Sequence, residues 1–293
     1  MRVLILGGAG MLGHKLYQLY RGRFDTWATV RSGYRYYARY NLFDRQRLLE
    51  GVDAENFDTL VRAMAEVQPD AVINCIGIIK QLRSAKDPII SLAINALLPH
   101  RLANLCRASR CRLIHISTDC VFSGRKGNYQ EQDISDAEDL YGRTKFLGEV
   151  DAPGCLTIRT SIIGREPATS SGLIEWFLSN RGGKVRGFTR AIYTGFTTPA
   201  LAGIMAEVLE KHPNLSGLYQ VSSAPISKFD LLTLVNEIYS LGVQIEPDRE
   251  FVCDRSLDST RFRAATDFRP PTWPEMIDEM HGDPTPYDHW RML

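Results

Sequence analysis

The chain begins with a short, mainly apolar run, Arg2-Val3-Leu4-Ile5-Leu6, that passes straight into Gly7-Gly8-Ala9-Gly10-Met11-Leu12-Gly13 and then the amphipathic segment His14 to Tyr20. Such a run suits a parallel strand covered on both faces. Glycines at three-residue spacing across a strand-to-helix junction have separate jobs. Gly7 permits the tight turn, Gly10 lets a ligand approach the backbone, and Gly13 lets helix and strand pack closely. Met11 and Leu12 begin the helix, whose N-terminus supplies amide donors and positive potential to a pyrophosphate. A Gly-rich turn alone is a weak signal. Placed between a strand and a helix at the start of the chain, it predicts a dinucleotide site and a parallel sheet around it.

The rest of the first half follows that plan. Strand-like runs at 2–6, 25–30, 71–76, 112–117 and 155–160 alternate with helical segments near 13–20, 57–67, 91–108 and 140–149. This alternation predicts an α/β fold with a doubly wound parallel sheet, whose ligands lie beyond the carboxyl ends of the strands. Gly7, Gly77 and Thr118 all fall at such ends. After Ile163 the pattern becomes irregular, with an amphipathic 173–178 stretch and a basic turn, RGGKVRG. A helix over 198–211 and a strand over 218–222 return the chain to the first unit. A helix over 228–241, a polar link and an aromatic, Pro-rich tail follow. The expected organisation is a dinucleotide-binding domain of 1–163 and 191–224 with a small α/β cap of 164–190 and 225–293, the site lying between them.

Charge and cysteine usage exclude several classes. With 35 basic and 34 acidic residues, no general nucleic-acid footprint is expected. The basic, aromatic run RSGYRYYAR follows the second strand and fits a loop over the adenosine end of a cofactor, or solvated surface. Six cysteines, without CxxC pairs, and six histidines without ligand spacing predict no metal site. No signal peptide is evident, and no stretch was expected to reach the ~18 apolar residues of a membrane helix. A reduced cytoplasm is the expected compartment.

The chemistry centres on HISTDCVFSGRKGNYQEQDISDAEDLYGRTKFLGE, residues 115–149. Thr118 follows a buried strand, and Tyr141 and Lys145 stand four apart on one helix face. At ~5 Å and an effective dielectric of ~20, the ammonium would favour the phenolate by roughly 3 kcal/mol, about two pKa units. Such a tyrosine exchanges a proton near neutral pH, and Thr118 would hold the oxygen that receives it. A bare Tyr-x-x-x-Lys is more often solvated helix surface, so the glycine loop carries much of the argument. The second strand ends in Val30-Arg31, where an acidic residue would signal NAD. Arg31 fits a 2′-phosphate of NADPH or a solvated loop cation. Asp53-Ala54 fits adenine recognition or a turn that caps the next helix.

These regions together resemble the extended short-chain dehydrogenase/reductases, and within them the dTDP-4-dehydrorhamnose reductase group. The matching words are GGAGMLGHKL, QPDAVINCIG, AINA, HISTDCVFSG, YQEQD, LYGRTKFLGE, LTIRTSIIG and GLYQVSSAPISKFDLL, spanning residue 1 to about 269. The resemblance implies a Rossmann fold and a catalytic Thr118, Tyr141 and Lys145. It implies Asn95 as a supporting residue and a cofactor site that includes Gly7, Gly10, Gly13 and Asp53, with Cys75 and Gly77 at the end of the fourth strand. It also implies Arg255, in CDRSLDSTRF, as a ligand of the substrate diphosphate. Two departures touch the sugar end. Cys120 stands where the rhamnose enzymes commonly carry tyrosine, and Ile78-Ile79-Lys80-Gln81-Leu82-Arg83 replaces an acidic pattern.

The expected function is an NADPH-dependent reductase, with NADH a poorer cofactor. Its substrate would be a UDP- or dTDP-linked 4-keto-6-deoxy sugar for surface polysaccharide, with Lys80, Cys120 and Arg255 on the substrate side. A homodimer is possible, and no nucleic-acid or membrane partner is expected. The alternatives are an epimerase or dehydratase retaining NAD, for which Asp119 lacks a following Glu, and a non-enzymatic regulatory subunit such as that of methionine adenosyltransferase.

Overall fold

The computed structural model describes residues 1–291, apart from the side chains of Arg83 and Ser84. Its strands are β1 (Arg2–Leu6), β2 (Asp25–Thr29), β3 (Leu48–Leu49), β4 (Ala71–Asn74), β5 (Arg112–Ile116), β6 (Cys155–Arg159), β7 (Ile162–Ile163), β8 (Lys184–Tyr193), β9 (Phe196–Thr197), β10 (Gly217–Gln220), β11 (Ile226–Ser227) and β12 (Gln244–Asp254). The main sheet has the order β10-β6-β5-β4-β1-β2-β3 and is parallel throughout. Successive side chains of β1 enter opposite faces: Val3 and Ile5 join one apolar core, Leu4 and Leu6 the other. That two-sided burial is why the run is continuously apolar. The order reverses beside β1, so a crevice opens beyond the ends of β1 and β4, where the glycine loop sits.

A second sheet, β11-β8-β12, and a two-stranded sheet, β7-β9, complete the fold. The second sheet was not legible. The segment expected to be a basic turn opens the ten-residue β8, and the expected polar link is the eleven-residue β12, parallel to β8 with an irregularity between Asp248 and Val252. Most of β12 is solvent-exposed along this edge. An edge strand has no core face to fill, so its polar composition hides it. The expected boundary at 190/191 also falls inside β8.

The tail returns to the first unit. Lys15 pairs with Asp283, and the Tyr287 hydroxyl lies 2.7 Å from Nε2 of His14. Residues Pro88–Ala108 form a helical stretch of 21 residues, within which an 18-residue window has mean hydropathy 1.3, long and apolar enough on those two measures to cross a membrane. This corrects the expectation that no such stretch exists. Here Ile94, Leu98, Leu102 and Cys106 pack into the core under the sheet. Its middle, Leu92–Leu97, is a π-helical segment, a feature often found at functional sites.

Candidate active site

The glycine loop has the shape of a pyrophosphate cradle. Gly7 has φ +81°, and a Cβ on Gly13 would stand 2.2 Å from the Gly7 carbonyl oxygen. Both positions therefore require glycine, one for its backbone conformation and one for close approach. A Cβ on Gly10 would meet only the Gly7 oxygen, at 3.4 Å, so this side of the loop is open. No side chain caps the helix Met11–Tyr20, which leaves the Met11 and Leu12 amides free for an anion. The residues present fit a bound dinucleotide. Thr29, at the end of β2, fixes the loop by accepting from the Gly7 and Gly8 amides at 3.1 and 2.8 Å, the first on its hydroxyl and the second on its carbonyl.

The other cofactor-side candidates differ in what they touch. Arg31 is exposed just after β2. The Asp53 carboxylate accepts from the Glu55 amide at 3.1 Å within the turn but does not cap the next helix, whose N-cap is Asn56, and Ala54 packs against the core. Burial pushes the Cys75 thiol up to about 12, leaving it a neutral packing group beside the sheet end. Asn95 sits on the π-helical segment. Its side chain accepts from the Ile78 amide at 2.8 Å and donates to the Ile78 carbonyl at 3.0 Å, beside Gly77. It thus holds the loop after β4 in shape.

Thr118, Tyr141 and Lys145 converge beyond β5. The Thr118 hydroxyl donates to Asp119 at 3.2 Å and accepts the Cys120 amide at 3.1 Å. Lys145 is buried, and its ammonium donates to the Ile116 carbonyl at 2.7 Å. Burial lowers the Lys145 pKa to about 8, against the opposing pull of Glu149. The expected easing of Tyr141 ionisation is not what the site shows. Burial raises the phenol above its ordinary 10.0, nearby Cys120, Asp119 and Asp139 add to this, and only a hydrogen bond with Thr118 opposes it. Spacing alone missed this because it counted the ammonium and ignored desolvation.

Two glycines set the position of the tyrosine helix, Leu140–Leu147. A Cβ on Gly142 would lie 2.2 Å from the Cys120 carbonyl oxygen, and one on Gly148 would lie 1.9 Å from that of Asn95. Asp139 caps the helix by accepting the Gly142 amide at 2.8 Å, and Lys80 pairs with the same carboxylate at 2.7 Å. Lys80 also stands 5.5 Å from the Tyr141 ring centre. At the far end Glu149 accepts from Ser117 and pairs with buried Arg159 at 2.6 Å, joining the helix to β6. Gly142, Gly148, Glu149 and Arg159 lie inside the words YGRTKFLGE and LTIRT, but only contact shows what they do.

On the substrate side Arg255 donates from Nε to the Phe122 carbonyl at 2.8 Å and reaches the Cys120 sulfur at 3.6 Å. Burial, with Asp119 nearby, raises the Cys120 thiol to about 11, so it presents a neutral group. Lys80 and Cys120 therefore border Tyr141, and Arg255 adjoins Cys120. The Arg83 side chain lies outside the described residues. Lys228, which the sequence analysis left without a role, projects from the start of the helix Lys228–Ile238 toward Asp119, Cys120, Cys253 and Arg255. No potential metal cluster occurs among the described residues.

Known proteins resemble this chain in sequence and in fold. The chain is 30% identical over 236 residues to the probable low-salt glycan biosynthesis reductase Agl14 of Haloferax volcanii, covering 76% of this chain and 75% of that one. It is 32% identical to the mouse methionine adenosyltransferase 2 subunit beta, over 50% of this chain and only 41% of that one. A hypothetical dTDP-4-dehydrorhamnose reductase structure from Sulfolobus tokodaii matches with TM-score 0.77 and 27% identity, covering 93% of this chain and 98% of that one. The dTDP-4-dehydrorhamnose reductase of Bacillus anthracis, solved with NADP, shares the fold at TM-score 0.77 and 21% identity, over 96% of this chain and 98% of that one. The family model for the RmlD substrate-binding domain matches residues 1–283, and the chain belongs to that family of NAD(P)-dependent oxidoreductases, which includes the dTDP-4-dehydrorhamnose reductases.

Proposed function

We propose that the protein is an NADPH-dependent reductase of a nucleotide-activated 4-keto-6-deoxy sugar, UDP- or dTDP-linked, that supplies a surface polysaccharide. The observation that carries this reading is the meeting of Thr118, Tyr141 and Lys145 beyond β5, across the crevice from an uncapped glycine cradle. A dinucleotide held by the Gly7, Gly10 and Gly13 cradle and the Met11 helix start would supply a hydride for the carbonyl carbon. Tyr141 gives its phenolic proton to the carbonyl oxygen, so one C–H and one O–H bond form as the C=O π bond is lost. Thr118 orients that oxygen, and Lys145 places its ammonium against the Ile116 carbonyl at the cofactor side of the phenol. The raised phenol pKa keeps the acid protonated in the empty site.

Tyr141→Phe tests the reading: NADPH binding should persist while turnover falls by at least ~10²-fold. Turnover near the wild-type value would remove Tyr141 from the mechanism. The likeness to methionine adenosyltransferase beta subunits favours a second, regulatory reading, against which the complete Thr118, Tyr141 and Lys145 set stands. Stimulation of an added methionine adenosyltransferase, with no NADPH consumption on a nucleotide-sugar panel, would select it.

A further inference from the structure

We propose that Lys228, with Arg255, forms an anion-binding wall of the substrate pocket and takes a negatively charged group of the nucleotide sugar beside Cys120. This inference rests on the reductase reading and extends it to a residue and a ligand charge. The fully buried lysines and arginines of the fold have close partners, whereas Lys228 is half-buried. Lys15 pairs with Asp283, Arg159 with Glu149 and Arg165 with Glu175, while Lys145 donates to the Ile116 carbonyl. Lys228 forms no ion pair among the described residues. Its ammonium rests 3.8 Å from the centre of the Tyr193 ring. A cation–π contact recovers only ~0.5–2 kcal/mol, much less than desolvating an ammonium costs.

The second cation comes from a different element to the same place. The Arg255 amide bonds the Ile192 carbonyl at 3.4 Å, next to Tyr193, and its guanidinium reaches Cys120. Arg255 also lacks an ion pair among the described residues, and its Nη1 reaches only the Cys120 sulfur there. The ionisable groups facing Lys228 are Asp119, Cys120, Cys253 and Arg255, and only Asp119 among them is acidic. Lys80 is already paired with Asp139. Two cations against one carboxylate leave this wall with a net positive charge, in a cleft where a neutral sugar alone would leave it unsatisfied. The shared chemistry is an anionic oxygen group, which the pyrophosphate of the carrier or a carboxylate on the sugar can provide.

Calorimetric titration of NADP-loaded wild type, Lys228→Met and Lys228→Arg tests this without turnover, so its outcome is independent of the Tyr141→Phe experiment. The probes are dTDP and UDP against thymidine and uridine, and UDP-glucuronate against UDP-glucose. Lys228→Met should weaken at least one anionic probe tenfold or more, while the nucleosides are unaffected and Lys228→Arg retains affinity. Loss of affinity for dTDP or UDP identifies the pyrophosphate as the ligand; loss confined to UDP-glucuronate identifies a sugar carboxylate. Removal of an unpaired cation should leave the melting temperature of Lys228→Met at or above wild type, which guards against misfolding. Unchanged affinity for both kinds of anion in a folded Lys228→Met protein overturns the proposal, as does equal weakening of thymidine and dTDP.

Discussion

Gly142→Ala should separate folding from catalysis. The added Cβ would stand 2.2 Å from the Cys120 carbonyl oxygen and 2.7 Å from Cβ of Ala137. Carbon–oxygen contacts are comfortable from about 3.3 Å, so the start of the tyrosine helix and the chain after β5 must part by roughly 1 Å. Overpacking of this kind costs ~1–3 kcal/mol, and alanine returns up to ~1 kcal/mol over glycine in a helix. The net loss is modest against a typical stability of ~5–15 kcal/mol, so the protein stays folded. The displaced neighbours are Tyr141, next in the chain, and Cys120, two residues beyond Thr118. A misplacement of ~1 Å at reacting groups costs up to ~10²-fold in rate. NADPH consumption on a 4-keto-6-deoxy sugar nucleotide should therefore collapse in Gly142→Ala while NADPH binding, followed by its fluorescence, stays near wild type. A folded variant with wild-type kcat/KM would refute the claim that this contact sets the position of the acid.

Three further outcomes follow from the site. Arg31→Ala should weaken NADPH by ~1.5–3 kcal/mol, roughly 10–150-fold, with little change for NADH; equal wild-type affinity for the two cofactors would sink the idea. In the Lys228→Arg background, which removes the other lysine lowered to about 8, kcat/KM should fall as pH rises through about 8, because the buried Lys145 ammonium is lost there. Native Lys145 is neutral above about 8 whereas the unfolded chain keeps that proton to about 10.5, so its contribution to stability should rise across this window, visible in melts at stepped pH. A flat activity profile through pH 9 would exclude Lys145 as the titrating group. A UDP-linked 2-acetamido-2,6-dideoxy-4-hexulose should be reduced with higher kcat/KM than dTDP-4-dehydrorhamnose, because neutral Cys120 and the Ile78-Ile79 loop offer no acidic partner for a sugar hydroxyl; side-by-side kinetics decide it.

What could be read from the chain was whatever local sequence enforces. The β1-loop-helix unit is local: glycine spacing, a continuous apolar strand and a helix start lie within twenty residues, and contacts at Gly7 and Gly13 explain why those residues are glycine. The four-residue step from Tyr141 to Lys145 is local too. The parts that escaped depend on distant segments. β12 is a strand because β8 pairs with it, although its own polar composition argues for a link. The tail beyond Asp283 docks on the first helix through Lys15 and His14, contacts some 270 residues apart in sequence. Gly142 and Gly148 look like ordinary weak helix residues until the Cys120 and Asn95 carbonyls are placed against them. Lys228 stands in a recognisable word, and only its lack of an ion pair among the described residues, beside Arg255, marks it out.

The same distinction governs the acid itself. Counting one charge one turn away predicts a phenol that ionises easily, whereas the folded site holds it protonated and directs the ammonium to a backbone carbonyl. Little of a phenol so held is ionised, so the phenolate from which alcohol oxidation must begin is scarce, although it is a strong base once formed. Below about pH 8, Lys145 keeps its charge and Tyr141 keeps its proton, which is the pair of states that carbonyl reduction consumes. Burial therefore biases the apo site toward the protonation states that reduction consumes, without moving the equilibrium of the reaction. Glu149 opposes the burial of Lys145 and is tied to Arg159 and Ser117, so the anchor of the helix end in β6 also sets the pH at which that bias is lost.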